Sequence, residues 1–267
     1  MGTNINKNTK LGVEGTYISS VSGGGGGYAP ETIAFLSQAS ITDPTIGNAV
    51  NDLVLDMQSV GIWNKMIAVY PIVGGNASAH KTNLIDPNTY TIIFSGGWTH
   101  SSTGMLGNGI NTTGDTQLTP ITDMPGPDMS MGVYMRDQAT ATNRPLLIGG
   151  TSQNLYYMRY GPTNITTYMP NVTSPVNNTI SPATKFMATA KNGVDLYFTM
   201  NGLGGFNSSI GSSPNMANTS MKIGNLFTTY SAQEFAFVFI GYYLDLTEMD
   251  TFRVMIDNFQ TALSRNV

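Results

Sequence analysis

Apolar residues follow two different rhythms along this chain. Ile46, Val50, Leu53, Val54, Met57 and Val60 recur at helical spacing and form one stripe. Asp43 ahead of them suits an N-cap, Pro44 the first helical position and Gly61 the stop, so a helix is predicted over 44–60. A second stripe of Phe252, Met255, Ile256, Phe259 and Leu263 predicts a helix over 248–264. Thr247 is its expected cap, with Glu248 and Asp250 at the positive end of the dipole. A shorter turn or helix is expected at Ile33–Leu36.

Between the two stripes the rhythm shortens to strands punctuated by Gly, Pro, Asn and Asp. The expected strands are Met66–Tyr70, Thr91–Phe94, Met131–Arg136, Leu146–Ile148, Leu155–Tyr160, Phe186–Thr189, Leu196–Thr199, Met221–Ile223 and Phe235–Tyr243. No βαβ alternation interrupts them, and the spacing favours a sandwich. The run Phe235–Ile240 is too continuous for a strand with one wet face. It predicts a central strand covered on both sides, for instance by the last helix. Gly161–Pro182, rich in Pro, Asn and Thr, is expected to be a long loop.

Residues 1–30 show neither rhythm and end in the run Gly23–Gly27, which has maximal backbone freedom. The chain thus divides into an arm, 1–30, and a body, 31–267. For an isolated protein the composition of the arm suits a floppy tail. The alternative is a tether that orders on a partner, with Tyr17, Ile18, Val21 and Tyr28 as the side chains it would bury.

Composition narrows the function. Charged residues make up 10% of the 267-residue chain, against roughly 25% in ordinary soluble domains. Solubility rests on Asn, Thr, Ser and Gly, which suits a packed assembly or a surface that meets sugars. Lys and Arg total 12 against 16 acids, too few to build the positive field that nucleic acid requires. With no cysteine, disulfides and thiolate metal sites are excluded. The N-terminus MGTNINKNTK reads as neither a secretory signal nor a myristoylation site, and no apolar run approaches a membrane span of ~18 residues. No membrane insertion is expected.

Both histidines, His80 and His100, and both tryptophans, Trp63 and Trp98, fall between Gly61 and Leu118. Neither histidine has an acidic cluster beside it, and a zinc site needs three or four ligands. Ser95, Ser101 and Ser102 lie nearby, but no G-x-S-x-G elbow presents one as a nucleophile. A glycosidase needs two facing carboxyl groups, and no E-x-D-x-E alternation supplies them. The expectation is therefore that the chain is not an enzyme, with a glycan hydrolase ranked last. The glycines of FSGGWTHSSTG do not follow a nucleotide fingerprint. Trp98 could stack on a sugar, with His100, Asn108, Asn111 and Asp115 around it. The plainer reading, favoured here, is that Trp63 and Trp98 are core aromatics near Tyr70 and Phe94. Asp115 alone is weak support for Ca²⁺, and no cofactor or metal is expected.

Several segments carry a resemblance: GIWNKMIAVYPIVGG, HKTNLIDP, FSGGWTHSSTG with GNGINTTGDTQL, and the closing IGYYLDLTEMDTFRVMIDNFQTALSRNV. In this order and spacing, over roughly residues 40–267, the chain resembles tailed-bacteriophage virion structural proteins with a laminin-G-like, concanavalin A-like jelly roll. DLYFTMNG and MKIGN look like that domain's paired strands. The resemblance implies a mainly β jelly-roll sandwich with an extended arm and two flanking amphipathic helices. It implies a place on the virion as a capsid decoration, head fibre or tail component, made in the host cytoplasm. The expected partners are other virion proteins and further copies of the chain. It brings no catalytic residues with it. The alternative is a carbohydrate-binding adhesin for host surface glycans, with Trp98, Tyr168, Asn171 and Asn178 in its loops.

Overall fold

The computed structural model describes residues 27–136, 144–149, 156–160, 164–168, 176–179, 185–193, 195–201, 203–209 and 216–267. They form three layers: helices, an inner sheet and an outer sheet. The eight-stranded inner sheet runs in the order Leu203–Ser209, Asp195–Met200, Phe186–Asn192, Met129–Met135, Glu234–Tyr242, Met105–Leu106 and Thr99–His100. Met66–Tyr70 is its eighth strand, paired with the later half of Glu234–Tyr242. The seven-stranded outer sheet runs Val176–Thr179, Asn164–Tyr168, Tyr156–Tyr160, Arg144–Gly149, Lys222–Ile223, Thr113–Asp115 and Ile93–Ser95. Every pairing within the two sheets is antiparallel. The fold is mainly β, a jelly-roll-like sandwich with flanking helices.

The inner sheet has no wet face at its centre. Every residue of Met129–Met135 is buried, as are Phe235 to Gly241. One face packs on the outer sheet through Met131, Val133, Val238 and Ile240. The other packs on the helices through Tyr134, Phe186, Phe237 and Phe239. A register shift between Phe235 and Phe237 breaks the strict alternation. Phe235 therefore joins the inter-sheet core while both Ala236 and Phe237 join the helical one. Opposite Phe239 stands Gly132, where a Cβ would lie 2.3 Å from the ring. The missing side chain makes room for the aromatic.

Helices Pro30–Gln38, Pro44–Ser59 and Leu246–Ala262 form the third layer. The Asp43 carboxylate accepts from Thr45 N at 2.8 Å, and Gly61 leaves the helix with φ 78°, as the stop requires. The last helix starts earlier than expected. Asp245, not Thr247, is its cap, in a reciprocal capping box with Glu248. The first helix, expected as a short turn or helix at Ile33–Leu36, is longer and runs over Pro30–Gln38.

Other expectations need correction. Gly161–Pro182 is not one long loop: Asn164–Tyr168 and Val176–Thr179 pair as adjacent strands. The strand formers Ile165, Thr166, Thr167 and Tyr168 outweigh the turn residues around them. DLYFTM and MKI do not pair with each other. Asp195–Met200 lies between Phe186–Asn192 and Leu203–Ser209 in the inner sheet, whereas Lys222–Ile223 lies in the outer one. Met200 pairs with Leu203, and Asn201, which follows Met200, has φ 46°. Leu203–Ser209 was not expected to be a strand.

Candidate functional site

Strand Met66–Tyr70 runs into a tight turn, Pro71–Gly75. Ile72 there has φ 49°, a conformation that costs a β-branched residue about 1–3 kcal/mol. Arg265, 2% exposed, holds it in place. Its Nη1 donates to Ile72 O at 2.6 Å and its Nη2 to Pro71 O and Ala236 O, both at 3.1 Å. Its Nε donates to Gln260 Oε1 at 3.0 Å. Burial lowers the guanidinium pKa to about 10, so it remains charged at neutral pH. One cation thus ties the turn, the central strand and the last helix together.

Asn76 then caps a single helical turn, Ala77–His80, and buries His80 to 1% exposure. The segment Phe94–Gly104 approaches from the other side and delivers His100. The two rings meet Nδ1 to Nδ1 at 2.9 Å, with centroids 5.0 Å apart, and Phe94 stands edge-on to His100 at 4.7 Å. One proton must be shared along this line: one Nδ1 donates and the other accepts. Burial, the neighbouring His100 and Arg265 push the His80 pKa down to about 3, and burial also lowers that of His100. The pair is neutral at pH 7. His80 Nε2 has no hydrogen-bond partner among the described residues.

The sequence-predicted site residues divide. Trp98 and His100 do lie together, both against Phe94. Trp98 also meets Phe235 at 6.1 Å and packs on Gly224, where a Cβ would lie 2.8 Å from its ring. Half-buried, it closes the end of the inter-sheet core and is not an open sugar platform. Trp63 belongs to the helical core, away from Tyr70 and Phe94, which pack with the inter-sheet core. Asn108 and Asn111 staple loops. Asn108 Oδ1 accepts from Ile110 N and Asn111 N, and Asn111 Oδ1 accepts from Gly97 N and Asn108 Nδ2. Asp115 lies on an outer-sheet strand, and its Oδ1 accepts from Gln117 N at 2.9 Å. No group of three or more His, Asp or Glu side chains suited to a metal occurs among the described residues. Tyr17, Ile18, Val21 and Asn171 lie outside the described residues, and Tyr168 and Asn178 are described only as strand positions. Tyr28 docks on the second helix, with its hydroxyl 3.2 Å from Asn48 Oδ1 and its ring over Gly47.

Sequence reasoning missed a groove of about 490 Å³ beside the turn. Its lining includes the hydroxyl-bearing residues Ser40, Thr42, Thr45 and Ser102, with Asp43 the ionisable side chain among the described lining residues. Gly74 and Gly75, at φ 91° and 73°, form part of its wall. A Cβ on Gly75 would lie 3.5 Å from Ser102 N, so the turn that leads to His80 and the turn that follows His100 meet at this wall. The signal in the sequence was the doubled Gly74–Gly75 after a strand. What the glycines would face depended on tertiary contacts.

No protein-family model matches the chain, and no curated protein matches it. Solved structures do. Trypanosoma rangeli sialidase in complex with 2,3-difluorosialic acid, a covalent intermediate, matches with TM-score 0.55 at 10% identity, over 73% of this chain and 34% of that one. A structure of botulinum neurotoxin type C, whose cell entry depends on interaction with two ganglioside molecules, matches with TM-score 0.55 at 9% identity, over 76% and 53%. The binding domain of botulinum neurotoxin DC in complex with rat synaptotagmin II matches with TM-score 0.55 at 8% identity, over 74% and 52%. The chain therefore spans about a third to a half of the proteins it matches. At these identities the likeness shows the fold alone. It also corrects the expectation that the chain is not an enzyme: the structures sharing its sandwich include glycan-cleaving sialidases, so the lack of a local acid pair in the sequence is no ground for that exclusion.

Proposed function

We propose that this chain is a bacteriophage virion structural protein that displays a lectin-like jelly roll on the particle, among other capsid or tail proteins and further copies of itself. One observation carries the reading. The segments GIWNKMIAVYPIVGG, HKTNLIDP and FSGGWTHSSTG, on which the resemblance to virion proteins rests, fold into one corner. There the Ile72 turn, His80 and His100 pack together. Because the three segments pack against one another, the resemblance they carry is to one corner of a fold rather than to three scattered motifs. The low charge of the chain agrees with a subunit seated among neighbours. Gradient-purified particles of the phage encoding this sequence are expected to contain the chain at a fixed copy number per particle by mass spectrometry. Recovery in the lysate but not in the particle would overturn the reading.

The groove lined in part by serine and threonine favours a second reading, a carbohydrate-binding adhesin for host surface glycans. The sialidase and the ganglioside-dependent toxin supply its fold-level precedent. A glycan array with the full chain is expected to return binders at millimolar concentration or below. An empty array would remove this reading and leave the first intact.

A further inference from the structure

We infer that the groove at the Pro71–Gly75 turn is a site for neutral saccharides and selects against acidic, sialic-acid-capped ones. The inference rests on the adhesin reading and adds a ligand class to it. A pyranose ring offers an apolar C–H face and an edge of hydroxyls. The groove's lining has both kinds of residue: Ile46, Val73 and Leu263 are apolar, and Thr42, Thr45 and Ser102 carry hydroxyls. Its volume, about 490 Å³, falls within the ~300–1,000 Å³ of small-molecule sites.

Charge decides the class. The described lining holds no Lys, Arg or His, and the positive end of helix Pro44–Ser59 at its edge is already met by the Asp43 carboxylate. Asp43 adds a negative charge. One of its oxygens accepts from Thr45 N, leaving the other to accept from a sugar hydroxyl in a charge-assisted bond. A sialic acid carboxylate beside Asp43 would meet like-charge repulsion of about a factor of five at ~4 Å in water. The wall is also set before a ligand arrives, because Arg265 holds Pro71 and Ile72 by their carbonyls.

The test titrates the full chain with neutral galactose- and glucose-ended oligosaccharides and with the sialylated counterparts of the former, read by ligand-observed NMR. Neutral glycans are expected to bind, with the sialylated ones roughly fivefold weaker or more. Asp43→Asn keeps the helix cap, since Asn caps as well as Asp, and should narrow that ratio. Ser102→Phe, at an exposed position, should fill the groove and weaken neutral binding at least tenfold. Asp115→Ala, on the outer sheet, should leave binding unchanged. Circular dichroism confirms that each variant folds. Sialylated glycans binding as tightly as neutral ones, or Ser102→Phe binding like the wild type, would overturn the inference while leaving the adhesin reading standing. Binding of no glycan at all would sink both.

Discussion

The two faces of the inner sheet are filled by different chemistry. The face toward the outer sheet is rich in methionine: Met105, Met129, Met131, Met135, Met158, Met187 and Met221 pack there. The face toward the helices is rich in phenylalanine: Phe35, Phe186, Phe237, Phe239, Phe252 and Phe259. Phe239 stacks on Phe186 at 6.2 Å and meets Phe252 edge-on at 5.0 Å, while Phe237 meets Phe252 and Phe259 at 6.1 and 5.9 Å. Rings in mutual edge-to-face contact fix one geometry. Unbranched thioethers fill irregular gaps and tolerate exchange. One backbone sheet thus separates a specified core from an adaptable one. The specified core positions the helices, and with them the groove. The adaptable core lets two twisted sheets fit together.

The largest expected effect tests the specified side. Phe239→Ala should destabilise the protein by about 3–5 kcal/mol in chemical denaturation, because the rings around it cannot close the void over Gly132. Next comes the tie between layers. Arg265→Met should cost on the order of 3 kcal/mol, since Ile72 O and Pro71 O lose a charged donor inside the protein while Ala236 O keeps only Gln260 Nε2 among side-chain donors. Proteolysis at Pro71–Gly75 should accelerate in the same variant.

A smaller effect follows from the histidine pair. Both folded pKa values are lowered, so between pH 6.5 and about 3 the unfolded chain binds more protons than the folded one. Stability is therefore complete above pH 6.5 and falls on acidification, by up to about 1.4 kcal/mol per pH unit for His80. His80→Gln should flatten that part of the profile measured by denaturant titration. The smallest effect tests the adaptable side. Met131→Leu should change stability by less than about 1.5 kcal/mol. A loss as large as that of Phe239→Ala would erase the contrast between the two cores.

Much of the framework was legible because it rests on local periodicity. The stripes of the two long helices and the unbroken run Phe235–Ile240 each state which faces are dry, and the sheet buried on both faces follows from them. The cap of the last helix was misplaced by two residues although Asp245 and Glu248 stand in capping-box register; Thr247 has the same local chemistry. The strands at Asn164–Tyr168 and Val176–Thr179 were hidden by turn residues, because edge pairing depends on a neighbour rather than on the segment itself. The candidate site was the least legible part. His80 and His100 stand 20 residues apart in the sequence, and only the fold brings their Nδ1 atoms within a hydrogen bond. Asn108 and Asn111 looked like ligand-facing amides because loop staples and ligand contacts use the same residue types. Arg265 carries no local signal, since the carbonyls it holds come from two segments distant in sequence.

Strand Met66–Tyr70 carries one more consequence. It pairs with residues 238–241, so an early segment must wait for a partner that follows far along the polypeptide. Loop closure over such a span is slow and has to precede the reward of the ladder. During synthesis on the ribosome, an apolar strand with unsatisfied edges stands exposed until Glu234–Tyr242 emerges to zip the sheet shut. Closure of the inner sheet is therefore a late step of assembly, after its other strands have been made.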